Sequence, residues 1–234
     1  MQFLIDDPKI EKQFRLLLDE IKLRKNGPVA DSMKEKGIQY KTNWGVSVLE
    51  LRELAKSREP GHLLSLKLWN KQWRESMILA TMIDEPKEVT EEQMDFWTKS
   101  FENTDIAEHA VANLWVKTPF AFVKAFEWIR GKKHLVRYTG VQLIGRLAMV
   151  EKDALDEMFE PFFEILMPLS KDSGLSIVLY RSLIIMGARS KYLNKLCLDF
   201  TGQLKESDSP NAVDLARLVY DELTSDYINE RFLD

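Results

Sequence analysis

The side chains of this chain best suited to chemistry are cations gathered over a short span. Arg130, Lys132, Lys133, His134, Arg137 and Arg146 fall within 17 positions that hold no Asp or Glu. A second basic set follows at Arg181, Arg189, Lys191 and Lys195. Lys and Arg at this density suit phosphate, whose neutralisation releases condensed counterions. A merely solvated loop is the plain alternative for Lys132 and Lys133. Arg137 opens a helical pattern, so its guanidinium is expected at a phosphate. The other feature is a pair of acids, Asp105 and Glu108, starting a helix that Asn103 or Thr104 would cap. Acids are favoured there by the helix dipole alone and require no catalytic role. His109 adjoins Glu108 in sequence, but adjacent helical residues do not face each other.

Several chemistries are missing. His62, His109 and His134 are far apart and accompany a single cysteine, which is no metal-ligand spacing. Neither a Gly-rich phosphate loop nor a Gly-x-Ser-x-Gly nucleophile elbow occurs. No metal and no cofactor are expected. Cys197 lies in the apolar run Tyr192–Phe200 and reads as a buried structural thiol. The N-terminal MQFLIDDPKIEKQF lacks the basic-then-apolar build of a signal peptide, and nowhere do about 18 apolar residues run together. A cytoplasmic chain that does not enter membranes is expected. Its net charge of −4 and pI near 5.6 count mildly against nucleic acid. Acids, however, concentrate in Asp84–Glu92 and Glu151–Glu164, so one side of an acidic molecule can still be positive.

The elements that must position these residues are helices. Apolar residues recur at helical spacing from Ile10 to Lys25, and Asn26-Gly27-Pro28 ends that run. Val29–Glu35 starts another helix, and 36–44 is irregular and polar. Ser47 with Glu50 forms a capping-box pattern for a helix over Val48–Lys56. Helical pairs follow: Leu64–Asn70 with Arg74–Ile83, Phe96–Phe101 with Ile106–Val116, Ala121–Ile129 with Leu135–Val150, and Leu155–Leu166 with Ile177–Gly187. Their second members start about 30 to 40 residues apart, the period of stacked helical hairpins. Ten Gly and eight Pro fall mostly between the helical runs, and no strand pattern appears. The six Trp at helical spacing read as core. The expected fold is all-α, a right-handed superhelical stack of antiparallel helix pairs forming one domain over residues 1–234.

The run Ala30–Lys56 (ADSMKEKGIQYKTNWGVSVLELRELAK) resembles the opening of the HEAT-like DNA alkylation repair proteins, the AlkD-like alkylpurine DNA glycosylases. Shared features are a Met-Lys pair, a Gly-Val step and a Leu-Arg-x-Leu helix. LKLWNKQWRESMILATMI is similar to that family's next hairpin, and HLVRYTG to its Trp-x-x-Arg-Ala-Ala segment; the resemblance runs over roughly 29–225. It implies a concave basic groove that grips double-stranded DNA and excises cationic purines such as 3-methyladenine and 7-methylguanine. In such a family an Asp stabilises the oxocarbenium-like sugar, helped by tryptophan faces and an Arg.

The family's Asn-Trp-Asp-x-x-Asp segment corresponds here to Asn103-Thr104-Asp105-Ile106-Ala107-Glu108. Thr104 thus stands for a Trp, and Glu108 for the catalytic Asp. The groove Arg is kept as Arg137, His134 replaces a frequent Trp, Arg181 falls near the second groove Trp, and Ser32 stands where an aromatic often sits. The resemblance therefore implies Glu108 as the catalytic carboxylate, with Asp105 second. Arg137, His134, Lys132, Lys133, Arg181 and Arg189 are the expected DNA ligands, lining one face of a monomer. The substitutions leave two readings open: a DNA-binding protein with or without glycosylase activity, and a protein-binding solenoid that kept only the fold.

Overall fold

The computed structural model describes residues 5–232, and every regular element among them is helical, as the sequence pattern requires. The chain divides between Phe120 and Ala121 into two compact units.

The first unit holds α1 (Pro8–Leu23), α2 (Gly27–Glu35), α3 (Val48–Lys56), α4 (His62–Asn70), α5 (Arg74–Ile83), α6 (Glu91–Lys99) and α7 (Thr104–Asn113), then a 3-10 turn over Trp115–Lys117. Side-chain caps set several of their starts: Asp7 accepts from the amides of Lys9 and Ile10, Asn26 from Val29, and Asn103 from Ile106. The Ser47–Glu50 capping box forms as its sequence pattern indicates. The irregular stretch 36–47 folds back on the start of α2, where Asn26 donates its amide to the Trp44 carbonyl at 2.7 Å. Gly45 permits this approach: its φ is +72°, and a Cβ there would lie 2.0 Å from the Asn26 oxygen. Helix α4 pairs with α5, which also packs on α3 and α7. The core is an indole column in which Trp69 stacks on Trp97 at 3.9 Å and Trp97 meets Trp115 at 5.5 Å. Burying such rings contributes several kcal/mol by area alone. Trp44 and Trp73 depart from the expected all-core role. They form a half-buried edge-to-face pair, with Lys22 and Lys71 over the Trp73 ring.

The second unit holds α8 (Ala121–Ile129), α9 (His134–Val150), α10 (Pro161–Leu166), α11 (Ser176–Gly187), α12 (Lys191–Lys205), α13 (Pro210–Leu223) and α14 (Asp226–Glu230). Helix α9 packs on α8 and α11, and α11 on α12 and α13. α9 and α11 run in the same direction. Asp172, just before α11, reaches Arg137; Ser182 donates to the Val141 carbonyl at 2.8 Å; and Arg189, just after α11, reaches the end of α9. Gly145 allows this contact, because a Cβ there would meet the Ser182 Cα at 2.9 Å. The single helix expected over Leu155–Leu166 is instead a 3-10 turn at Asp156–Phe159 followed by the six-residue α10. Pro161 is the physical reason. It has no N–H to bond backward and its ring collides with the preceding turn, so it serves as a helix start and not as a helix interior.

Candidate nucleic-acid interface

Asp105 and Glu108 open α7 on one face, as their spacing requires, but Asp105 is held within the fold. Its Oδ2 accepts a hydrogen bond from the Tyr40 hydroxyl at 2.7 Å and another from Arg74 Nε at 3.0 Å. His109 Nε2 lies 3.6 Å from the other oxygen. Arg74, almost wholly buried, also donates to the Val46 carbonyl at 3.0 Å and sits 3.6 Å from the fully buried Glu75. Glu75 in turn accepts from the amides of Trp44 and Val46. The network pins the 36–47 stretch to α5 and α7, with one guanidinium set between two carboxylates. Burial, then the neighbouring Asp105 charge, pushes the Tyr40 phenol far above its usual range, so it stays a donor. Burial likewise holds His109 below its ordinary value; Arg74 adds to the effect and Asp105 opposes it. Asp105 therefore faces a cation at hydrogen-bond distance, which weakens it as a fixed anion for a developing sugar charge. Glu108, one turn further on, is partly exposed.

The basic residues of the second unit separate into two places. Lys132, Lys133 and His134 are exposed at the start of α9, where no side chain caps the helix. Arg137 follows in the first turn, partly exposed, with its Nε buried and lacking a hydrogen-bond partner. Asp172 lies 3.4 Å from Arg137 Nη2 and 3.5 Å from His134 Nδ1. A stretch without acids in sequence thus gains one in space, which orients Arg137 and offsets part of its charge. Arg181 is exposed on α11.

Arg189 does not join them. Its guanidinium donates to the carbonyls of Ala148, Glu151 and Ala154, pairs with Asp156 at 2.9 Å and lies over the Phe159 ring. It closes the C-terminal end of α9, where carbonyls lack partners and a cation is favoured. The expected single basic face is corrected here: α9 has 17 residues, so Arg189 lies roughly 25 Å from the start of α9 at 1.5 Å per residue.

Tyr40, Arg74, Glu75 and Asp172 are not singled out by sequence reasoning. The available signal was Arg74-Glu75 heading an otherwise apolar run, since charges on a buried helix require partners. Cys197 is fully buried, and burial pushes its thiol well above the ordinary range. Among the described residues no cluster of three or more His, Cys, Asp or Glu could hold a metal ion. No helix among them is long and apolar enough to cross a membrane.

No curated protein matches the chain. A solved structure described as "A new family of proteins related to the HEAT-like repeat DNA glycosylases with affinity for branched DNA structures" is similar at 16% identity and a TM-score of 0.72. The likeness covers 89% of this chain and 94% of that one, and it is a likeness of fold: an all-helical, HEAT-like repeat. The sequence profile described as DNA alkylation repair enzyme matches residues 17–173. With more than half of its length so matched, the chain belongs to the DNA alkylation repair enzyme family.

Proposed function

We propose that this protein binds DNA through its phosphates at the start of α9. The observation that supports this most directly is the group Lys132, Lys133, His134 and Arg137 at a helix start without a side-chain cap. Backbone N–H groups and the positive end of the dipole there add to the side-chain charges, and Asp172 balances only part of the sum. The exposed Arg181 extends the set, while Arg189 is set aside by its place at the far end of α9. The solved relative's described affinity for branched DNA makes a four-way junction a substrate to test beside linear duplex. Fluorescence anisotropy with both, comparing the unaltered chain with Lys132→Gln/Lys133→Gln/Arg137→Gln, measures the claim. The triple variant is expected to bind at least tenfold more weakly. Affinity equal to that of the unaltered chain overturns the proposal.

A second reading, excision of cationic alkylated purines, draws on membership in the alkylation repair family. In it the anion for the sugar cation is Glu108, the partly exposed acid one turn into α7, where the family's segment carries its Asp. Release of 3-methyladenine or 7-methylguanine from methylated DNA supports excision. Tight binding of such DNA without release leaves binding as the activity.

A further inference from the structure

The acidic run Glu151–Glu164 has no part in DNA binding, and its surroundings suggest a different use. Because Pro161 divides this segment, the short α10 and the preceding 3-10 turn cover the fifteen-residue α12 incompletely. Tyr192, Leu196, Phe200 and Gln203 fall four, four and three positions apart on α12, which places them in one stripe. Two clefts, of about 520 and 510 Å3, lie end to end along that stripe. The first is lined by Lys152, Leu155, Asp156, Glu157, Arg189 and Tyr192, the second by Glu160, Phe163, Glu164, Asp199, Leu196 and the buried Phe200. A hydrogen bond from the Tyr192 hydroxyl to Glu160 joins the two. Leu155 is 68% exposed and Tyr192 43% exposed, so apolar surface lies open along the first cleft.

The charges along this groove are mostly of one sign. Asp156 is paired with Arg189 and Asp199 with Lys195, but Glu157, Glu160 and Glu164 face no cation within ion-pair distance among the described residues. Arg189 stands at the C-terminal end of α9, so the groove lies at the far end of α9 from the basic residues. These carboxylates repel a phosphate backbone, which removes DNA as the occupant.

We propose that the groove receives a basic amphipathic helix from a protein partner. Apolar side chains three and four positions apart would sit on Leu155, Tyr192 and Leu196, with Lys or Arg facing Glu157, Glu160 and Glu164. The inference stands independently of DNA binding, since it uses the opposite end of α9.

The test uses the full chain and a fluorescein-labelled fourteen-residue Leu/Lys peptide of helical periodicity. A second peptide carries Glu in place of every Lys. The Lys peptide is expected to bind at least tenfold more tightly than the Glu peptide. Glu160→Lys/Glu164→Lys and, separately, Leu196→Ser should each weaken it at least tenfold, with melting temperature and DNA affinity confirming an intact fold. Reversal of two acids in the other unit, Glu85→Lys/Glu88→Lys, should change binding less than twofold. The proposal fails if the Lys peptide does not bind. It also fails if both charge reversals weaken binding equally, since that marks general attraction to an acidic surface. Sedimentation of the chain as a dimer that Leu196→Ser dissociates would make a second copy the occupant and overturn it too.

Discussion

Asp105 and Glu108 begin the same helix, yet their surroundings divide their roles. Asp105 compensates a buried arginine: it accepts from Arg74 and Tyr40, residues 31 and 65 positions away. No local pattern in the sequence announces such partners, which is why the pair reads there as two equivalent helix-start acids. Asp105→Asn leaves Arg74 with Glu75 at 3.6 Å as its remaining anion. Loss of one partner from a buried pair costs about 3–5 kcal/mol, and the surviving Glu75 places this case near the lower figure. Glu108→Gln should behave differently. At a partly exposed helix start it costs at most about 1 kcal/mol, while any purine release should fall roughly a hundredfold with the lost anion. Denaturant melts and base-release rates on the two variants separate the roles. A rate loss confined to Asp105→Asn, at unchanged stability, would reverse the assignment.

At the scale of elements, local signals are legible where the chain itself closes the interaction. The Ser47–Glu50 box and the Asn103 cap each join residues three apart, within the reach of a sequence pattern. The division of Leu155–Leu166 is not legible in the sequence because the apolar spacing continues through Pro161 and masks the break. The lock at the end of α5 is hidden for a different reason, being assembled from three helices. Asp84 accepts from His62 at 2.7 Å, Ser65 at 2.9 Å and Gln93 at 2.7 Å, tying the α5–α6 turn to α4 and α6. The Asp84 hydrogen bond raises the pKa of His62, and the Asp84, Glu88 and Glu85 charges add to it. A histidine whose folded pKa is raised stabilises the fold fully below its unfolded pKa, about 6.5. That stabilisation is lost as pH rises through the higher folded pKa. His62→Gln should therefore lower the melting temperature clearly at pH 5.5 and much less at pH 9. A deficit of equal size at both pH values would show that His62 acts by packing and not by charge.

At the scale of the whole molecule, a net charge of −4 and a DNA-binding role are compatible because the charges are sorted and not spread evenly. Cations collect at the start of α9, and acids collect beyond its end. The sequence shows both groups, but it could not show that Arg189 belongs to the acidic end, where it closes a helix, or that Asp172 enters the basic one. Of the six residues that the resemblance implies as DNA ligands, Arg189 closes the end of α9, which leaves His134 and four basic side chains, Lys132, Lys133, Arg137 and Arg181, for the proposed contact. Four phosphate contacts at about −0.9 each give a slope near −3.6 for log affinity against log salt, where six contacts would give about −5.4. The most direct measurement is this slope for a linear duplex between 50 and 300 mM salt, taken on the unaltered chain and on Lys132→Gln/Lys133→Gln. A slope between about −3 and −4, reduced by about two in the variant, is the predicted result. A flat dependence, or a steep one that the two substitutions leave unchanged, would contradict phosphate binding at the start of α9.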